Sequence, residues 1–368
     1  MIEVGRVLVT IALFFGILGV LVVVHELGHF VVAKLFRVRV LEFGIGFPPR
    51  ARVLRDVGET IYTLNWLPIG GFVKLEGEDG DGAEDPRSFS AQGLPRKLII
   101  LVAGVAMNIV LAWAIFSAIA LTGDPAIGVY VPYVDPGSPA EMAGVRRGDV
   151  IERVDGRAFG AFGPGSIREA LRESAGRTVA LTIRRGDQSL ELAASLRSPV
   201  EVAAGKGALG IGKPPEFPLE GRATPDRITY PAEVALGLGL ERTTSAMRFI
   251  VDGVGDLVTA IITRPTEPPP ASGPIGIATQ IGDVFWSLGP IVTLYLAGIL
   301  SANLAVVNVL PFPPLDGGRM LMLIIKRVAG SRLSLRAERL TYFVGFAMLI
   351  AFLVWVTGYD IARGLGGG

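Results

Sequence analysis

The hydrophobic positions of this chain gather into long runs. Val7 to Val24 is 18 residues without a charge, Leu98 to Leu121 is 24, Val284 to Leu315 is 32, and Thr341 to Tyr359 closes the set. A helix needs about 20 apolar residues to cross a bilayer core. The runs therefore predict four membrane helices, at residues 7–33, 98–121, within 284–310, and 341–359. The first is long and lacks an evident cleavage site, so it reads as a span rather than a removed leader. Between the runs the pattern changes. Residues 36–80 place β-branched and aromatic positions between Gly/Pro clusters, which predicts strands and hairpins. Residues 77–95 are rich in Gly, Asp and Glu and read as a loop. Short strands at Val129–Val134, Val150–Val154, Val179–Arg184 and Ser189–Ala194, with a helix near 166–174, predict a small α+β domain. Residues 198–228 read as a Pro/Gly-rich linker. In the helical stretch that follows, Met247, Ile250, Val254, Leu257, Val258 and Ile261 share one face, which predicts an amphipathic helix, either on the outer membrane surface or packed against the α+β domain. Four prolines between Arg264 and Gly273 then break it.

Composition agrees with a membrane protein. Half of the 368 residues are hydrophobic and only 19% are charged, with a mean hydropathy of +0.51. The net charge of +1 gives no reason to invoke nucleic acid. Basic residues orient the spans. Lys34, Arg37 and Arg39 follow the first, Arg96 and Lys97 precede the second, and Arg319, Lys326 and Arg327 follow the third. Both termini and the α+β domain are then outside the cytoplasm.

The candidate chemistry is concentrated. There is no cysteine and there are only two histidines, so a metal would be held by His, Asp or Glu. Both histidines lie in His25-Glu26-Leu27-Gly28-His29. Four residues apart on a helix they share a face and can offer two imidazoles to one ion, with Glu26 beside them to handle a water. Ionisable groups inside an apolar helix are costly and usually functional. A second unusual carboxylate is Asp316, just after an apolar run broken by Pro311, Pro313 and Pro314. It is either an N-cap or the third ligand. By the charge rule, the first and third spans both run from outside to inside. His25 lies nine residues, or roughly 13 Å, before Lys34, so His25 and Asp316 reach the same leaflet. Asn108 in the second span, close to Gly104, reads as a helix–helix hydrogen bond.

Four stretches together resemble the site-2 protease family of intramembrane zinc metalloproteases: the HELGH motif, Pro68 to Glu78 (PIGGFVKLEGE), the segment Ser138 to Ile151, which resembles bacterial PDZ domains, and Asn308 to Gly318 (NVLPFPPLDGG). The resemblance covers nearly the whole chain and is closest to members with a single PDZ domain. It implies His25, His29 and Asp316 as Zn²⁺ ligands and Glu26 as catalytic base. It also implies that residues around Gly44 and Gly46 form a membrane re-entrant β-loop at the substrate, and that Asn308 helps hold substrate. The fold expected is an α-helical polytopic membrane protein with four transmembrane helices, a cytoplasmic-side membrane-associated β-hairpin element and an inserted extracytoplasmic PDZ-like α+β domain. Its parts are residues 1–124 (two membrane helices and β-loop), 125–200 (PDZ-like domain), 201–285 (linker and amphipathic helix) and 286–368 (two membrane helices with the third ligand). The expected setting is the bacterial cytoplasmic membrane. The implied partners are the lipid bilayer and single-pass membrane proteins, such as anti-sigma factors or signal-peptide remnants, already cut outside by another protease. An inactive scaffold binding protein tails through the PDZ-like domain is the alternative. The complete His/Glu/His/Asp set argues against it.

Overall fold

A computed structural model describes residues 2–78, 85–161, 165–212, 219–264, 267–329 and 335–366. It divides into two compact units, one formed by Met1–Phe116 with Gly239–Gly368 and the other by Ser117–Leu238.

In the first unit, helix α1 (Ile2–Leu35) holds the HELGH motif. It ends in a tight reversal. Arg37 takes a positive φ of 59°, its N–H donates to Lys34 O, and the Val38 N–H reaches back to Ala33 O at 2.8 Å. That bond pattern satisfies the last carbonyls of the helix and turns the chain into β1 (Val40–Val57) and β2 (Thr60–Leu75). Gly58, with φ 65°, occupies the first central position of the two-residue turn between them, where positive φ is required.

The pairing of β1 with β2 goes beyond one hairpin. Gly44 pairs with both Thr63 and Phe72, and Phe43 with both Tyr62 and Val73, while Val53 pairs with Thr63. Each long strand is therefore broken into two, giving the lateral order 50–57, 60–65, 42–47, 71–75. The breaks fall at Pro48 and Pro49, which have no N–H for the ladder, and at Gly70, with φ 81°. Residues 71–75 form one edge. Lys34, at the end of α1, donates to Thr60 Oγ1 at 2.7 Å, so the sheet is tied to the helix.

Helix α2 (Leu94–Thr122) packs closely on α1. A Cβ at Gly28 would lie 2.3 Å from Ala103 O, so only glycine lets the backbones approach this far. The second unit follows. Strands β3 (Asp124–Tyr130), β4 (Val150–Val154), β5 (Arg157–Ala158), β6 (Thr178–Arg185) and β7 (Gln188–Ser195) alternate with helices α3 (Pro139–Met142), α4 (Ile167–Glu173) and α5 (Pro199–Ala203). β8 (Glu220–Ile228) completes a sheet of order β7-β6-β4-β3-β8, with β5 on β4. Ile151, Leu181, Ile183 and Ile167 fill its core. Beside α4 lies a groove of about 280 Å³, lined by Ile167, Leu171, Leu209, Arg168 and Lys206.

Two expectations are corrected here. Residues 198–228 are not simply a linker. α5 and β8 belong to the α+β unit, Val134 bridges Ile211, and Ala208 and Leu209 are in its core. The domain therefore extends past residue 200. β8 escaped the sequence reading because it contains Pro225. An edge strand tolerates proline since one of its sides needs no ladder donor. Residues 213–218 and most of the expected 77–95 loop's acidic tip, 79–84, lie outside the described residues.

The chain returns to the first unit through α6 (Ala232–Thr263), α7 (Pro274–Leu288), α8 (Pro290–Val309), α9 (Asp316–Ala329) and α10 (Leu335–Gly366). The second correction is α7, expected as part of a connecting stretch. It packs on α1. Trp286 Nε1 donates to Thr10 Oγ1 at 3.3 Å, and a Cβ at Gly282 would sit 2.6 Å from Thr10 Cγ2. Pro274 starts it, in the position where a helix has no use for the missing N–H. From α10, Asp360 accepts the Gly276 N–H at 2.8 Å, capping α7 from outside its own sequence.

Among the described residues, four helices are long and apolar enough to cross a membrane: Val4–Leu35, Leu94–Thr122, Pro290–Val309 and Glu338–Ala362. Val4, Val7 and Leu8 on α1 and Phe343 and Phe346 on α10 are exposed. Lipid is the solvent in which such a surface is stable.

Candidate metal centre

The two histidines of α1 meet Asp316 from the start of α9. His25 Nε2 lies 2.9 Å from Asp316 Oδ2. His29 Nε2 lies 3.3 Å from the same oxygen and 3.2 Å from His25 Nε2. One donor atom from each residue falls within 4.8 Å of the others. Three convergent atoms, two imidazole and one carboxylate, with an open side, form the donor set a catalytic zinc ion takes. The residues present therefore fit the metal. The same distances show the Asp316 carboxylate turned to the histidines through Oδ2.

Local structure explains the convergence. The i, i+4 spacing stacks the imidazoles on one face of α1. Pro311, Pro313 and Pro314 stop α8, and α9 restarts at Asp316, so the carboxylate stands at a helix start beside α1. Gly317 makes the approach possible: a Cβ there would lie 2.1 Å from Val309 O. On the opposite side α2 presents Gly104, against which both rings rest.

The centre opens into a cavity of about 510 Å³. Glu26 lines it, half-buried, next to Gly70, Gly71, Phe72 and Val73 of the sheet edge. A Cβ on Gly71 would be 3.7 Å from Glu26 Cγ and 2.9 Å from Gly44 O. Asn308 lines the same cavity, with its Nδ2 donating to Leu304 O at 3.0 Å. Arg319, one turn after Asp316, pairs with Glu78 at the rim. That ion pair ties α9 to the turn that follows β2.

Gly44 and Gly46 do not line the cavity. Gly44 lies in the middle of the sheet, paired on both sides, and a Cβ on it would strike the Phe72 ring at 2.3 Å. Gly46, at φ 81°, would meet Leu67 O. Their absent side chains serve the sheet, and the segment facing the centre is 71–75. Asn108 is the converse case. Expected to make a helix–helix hydrogen bond, it does reach from α2 to α1, and the group it meets, at 3.1 Å, is Nδ1 of His25. The signal available was the spacing Ile100, Gly104, Asn108, which puts all three on one face of α2.

The family described as Peptidase family M50 matches residues 13–352. The chain belongs to peptidase family M50, the site-2 proteases. It is 33% identical over 341 residues to a Clostridium perfringens protein named as a candidate zinc metalloprotease, covering 93% of this chain and 95% of that one. It is also similar to zinc metalloprotease RasP of Shouchella clausii, 26% identical over 96% of this chain and 99% of the relative. The RasP of Geobacillus kaustophilus is 26% identical over 95% and 97%. As an M50 member the chain is a zinc metalloprotease, and its four apolar helices place it among multi-pass membrane proteins.

Proposed function

We propose that this M50 protease cuts the membrane-spanning segments of single-pass membrane proteins, of the anti-sigma-factor or signal-peptide-remnant type, after another protease has removed their outer part. The observation that carries the reading is the pairing of His25, His29 and Asp316 with Glu26 in one cavity bordered by a sheet edge.

His25 and His29, through Nε2, and Asp316 would hold the zinc. When bound, the ion polarises the scissile carbonyl and makes water acidic enough to react near neutral pH. Glu26 accepts the proton of the attacking water and returns it to the leaving amine nitrogen. A membrane helix hides its carbonyls in its own hydrogen bonds, so the substrate must unwind before it is cut. Residues 71–75, at the rim of the cavity, offer the extended segment a strand to pair with. Asn308 lies across the cavity, and its amide would turn from Leu304 O to the substrate backbone.

The α+β unit works as a PDZ-like domain outside the cytoplasm, admitting trimmed substrates and excluding those with bulky outer domains. The enzyme then sits in the bacterial cytoplasmic membrane with both termini extracytoplasmic. Single cysteines placed at each end of the chain report this orientation directly, since the chain has none of its own. Labelling of the terminal cysteines only after membrane disruption would reverse the topology.

Metal content tests the ligands. Purified protein should hold about one zinc per chain, and His25→Ala or Asp316→Ala should lose most of it. Full retention in the Asp316 variant would remove that residue from the set.

A further inference from the structure

Helix α2 contacts both histidines of the metal centre. His29 Nδ1 lies 2.8 Å from the main-chain oxygen of Ile100. A carbonyl only accepts, so His29 Nδ1 carries the hydrogen and the Nε2 lone pair is free. Nε2 is the atom turned towards Asp316. His25, one turn earlier on α1, meets Asn108, two turns later on α2. The helices cross as an antiparallel pair, 25 against 108 and 29 against 100, with Gly104 between.

At His25 the partner is a side chain. Asn108 is fully buried. Its Nδ2 faces His25 Nδ1 at 3.1 Å, and its Oδ1 is buried without a hydrogen-bond partner. For His25 to offer Nε2 to the zinc, its Nδ1 must carry the hydrogen, as in His29. An N–H would then point at the amide N–H. A half-turn of the amide exchanges oxygen and nitrogen within nearly the same outline. Oδ1 has no donor to give up, so the turn breaks no bond at that atom. After it, Oδ1 accepts from His25 Nδ1–H. The main chain beneath is held in place, because Ser301 of α8 donates its hydroxyl to Asn108 O at 2.8 Å.

We propose that Asn108 is the positioning residue of His25: its Oδ1 accepts the Nδ1 hydrogen, which selects the tautomer and ring orientation that present Nε2 to the zinc. Asn108 does for His25 what the Ile100 carbonyl does for His29. A side chain is needed at one ring and a carbonyl suffices at the other because α2 passes the two rings at different points along its length. The inference rests on His25 being a zinc ligand. Partners of this kind contribute roughly 10–100-fold to metal affinity.

The test is zinc affinity of the full-length chain in detergent, measured by chelator competition, with cobalt spectra to report the coordination. Asn108→Leu keeps size and removes the acceptor. Its zinc affinity should fall 10–100-fold. Asn108→Asp can still accept and cannot donate, and should bind zinc at least as tightly as wild type with the wild-type cobalt spectrum. A role as a donor to His25 predicts the reverse for Asp, and a packing role alone leaves the cobalt spectrum of Asn108→Leu unchanged. Loss of affinity in Asn108→Asp comparable to that in Asn108→Leu would overturn the proposal, as would an Asn108→Leu protein within twofold of wild type. If Asn108→Leu does not fold, the Asp variant alone decides. His25→Ala is the control for the underlying reading. Zinc retained there removes His25 from the ligand set, whereas zinc lost there and kept in Asn108→Leu removes Asn108 alone.

Discussion

Gly104 of α2 lies flat against the imidazoles of α1, so that a Cβ there would come within 2.5 Å of His29 Nε2 and 2.8 Å of His25 Nε2. The atoms it would displace are those that face Asp316. Gly104→Ala should therefore act on the metal first. Overpacking of this kind costs about 1–3 kcal/mol, which as a loss of ligand geometry lowers zinc affinity by roughly tenfold or more. Gly19→Ala on α1 is the control, with nothing within 4 Å of the added carbon, and should keep full zinc. Equal zinc contents for the two variants would mean that the rings move aside freely.

Glu26→Gln separates binding from chemistry. The amide keeps the shape of the side chain and loses the base, so zinc should remain while cleavage of a membrane peptide falls by at least ~10². Wild-type turnover by this variant would exclude Glu26 as the proton carrier.

Excision of the α+β unit tests gating. Asp124 pairs with Ile228, and the Tyr230 N–H bonds to Ala120 O at 3.0 Å, so the two ends of the unit are neighbours. A short linker can replace residues 124–228 without forcing α2 from α6. The excised enzyme should cleave substrates that still carry their outer domains. If it cuts intact and trimmed substrates at the rates of the whole enzyme, the unit gates nothing.

Asp360 supports α7. Its carboxylate takes the Gly276 N–H, and Gly273 has room for no Cβ beside it, the nearest carboxylate oxygen lying 2.7 Å from that position. Asp360→Ala leaves the start of α7 uncapped and should reduce stability by about 1 kcal/mol, read as a lower thermal midpoint in detergent. Asp360→Asn retains an acceptor and should lose less. An unchanged midpoint in Asp360→Ala would show that water or another group caps the helix.

Much of the molecule was legible along the chain because the signal is local. Charge-free runs locate the helices whose surface must face lipid. Within the α+β unit, strands β4, β6 and β7 and helix α4 fall within a residue or two of expectation, since alternation and turn residues lie inside each segment. α7 was hidden because it follows a proline-rich break and continues into the same apolar run as α8, with only Gly289 between them. β8 was hidden because its place depends on pairing with β3, almost a hundred residues earlier.

The sequence by itself singled out the candidate residues for the chemistry. Two histidines four apart on a helix can only share a face, no cysteine competes for the metal, and Asp316 stands out as a carboxylate at the end of an apolar run. Only the tertiary structure decided what surrounds them. The sheet turns its 71–75 edge to the cavity and places Gly44 and Gly46 inside, because each strand breaks and pairs twice. Asn108 faces an imidazole because α1 and α2 cross antiparallel at Gly28 and Gly104. Helical spacing is fixed by backbone geometry and can be read from residue numbers. The angle and register at which two helices cross follow from the side chains packed between them, and those are set only when the chain has folded.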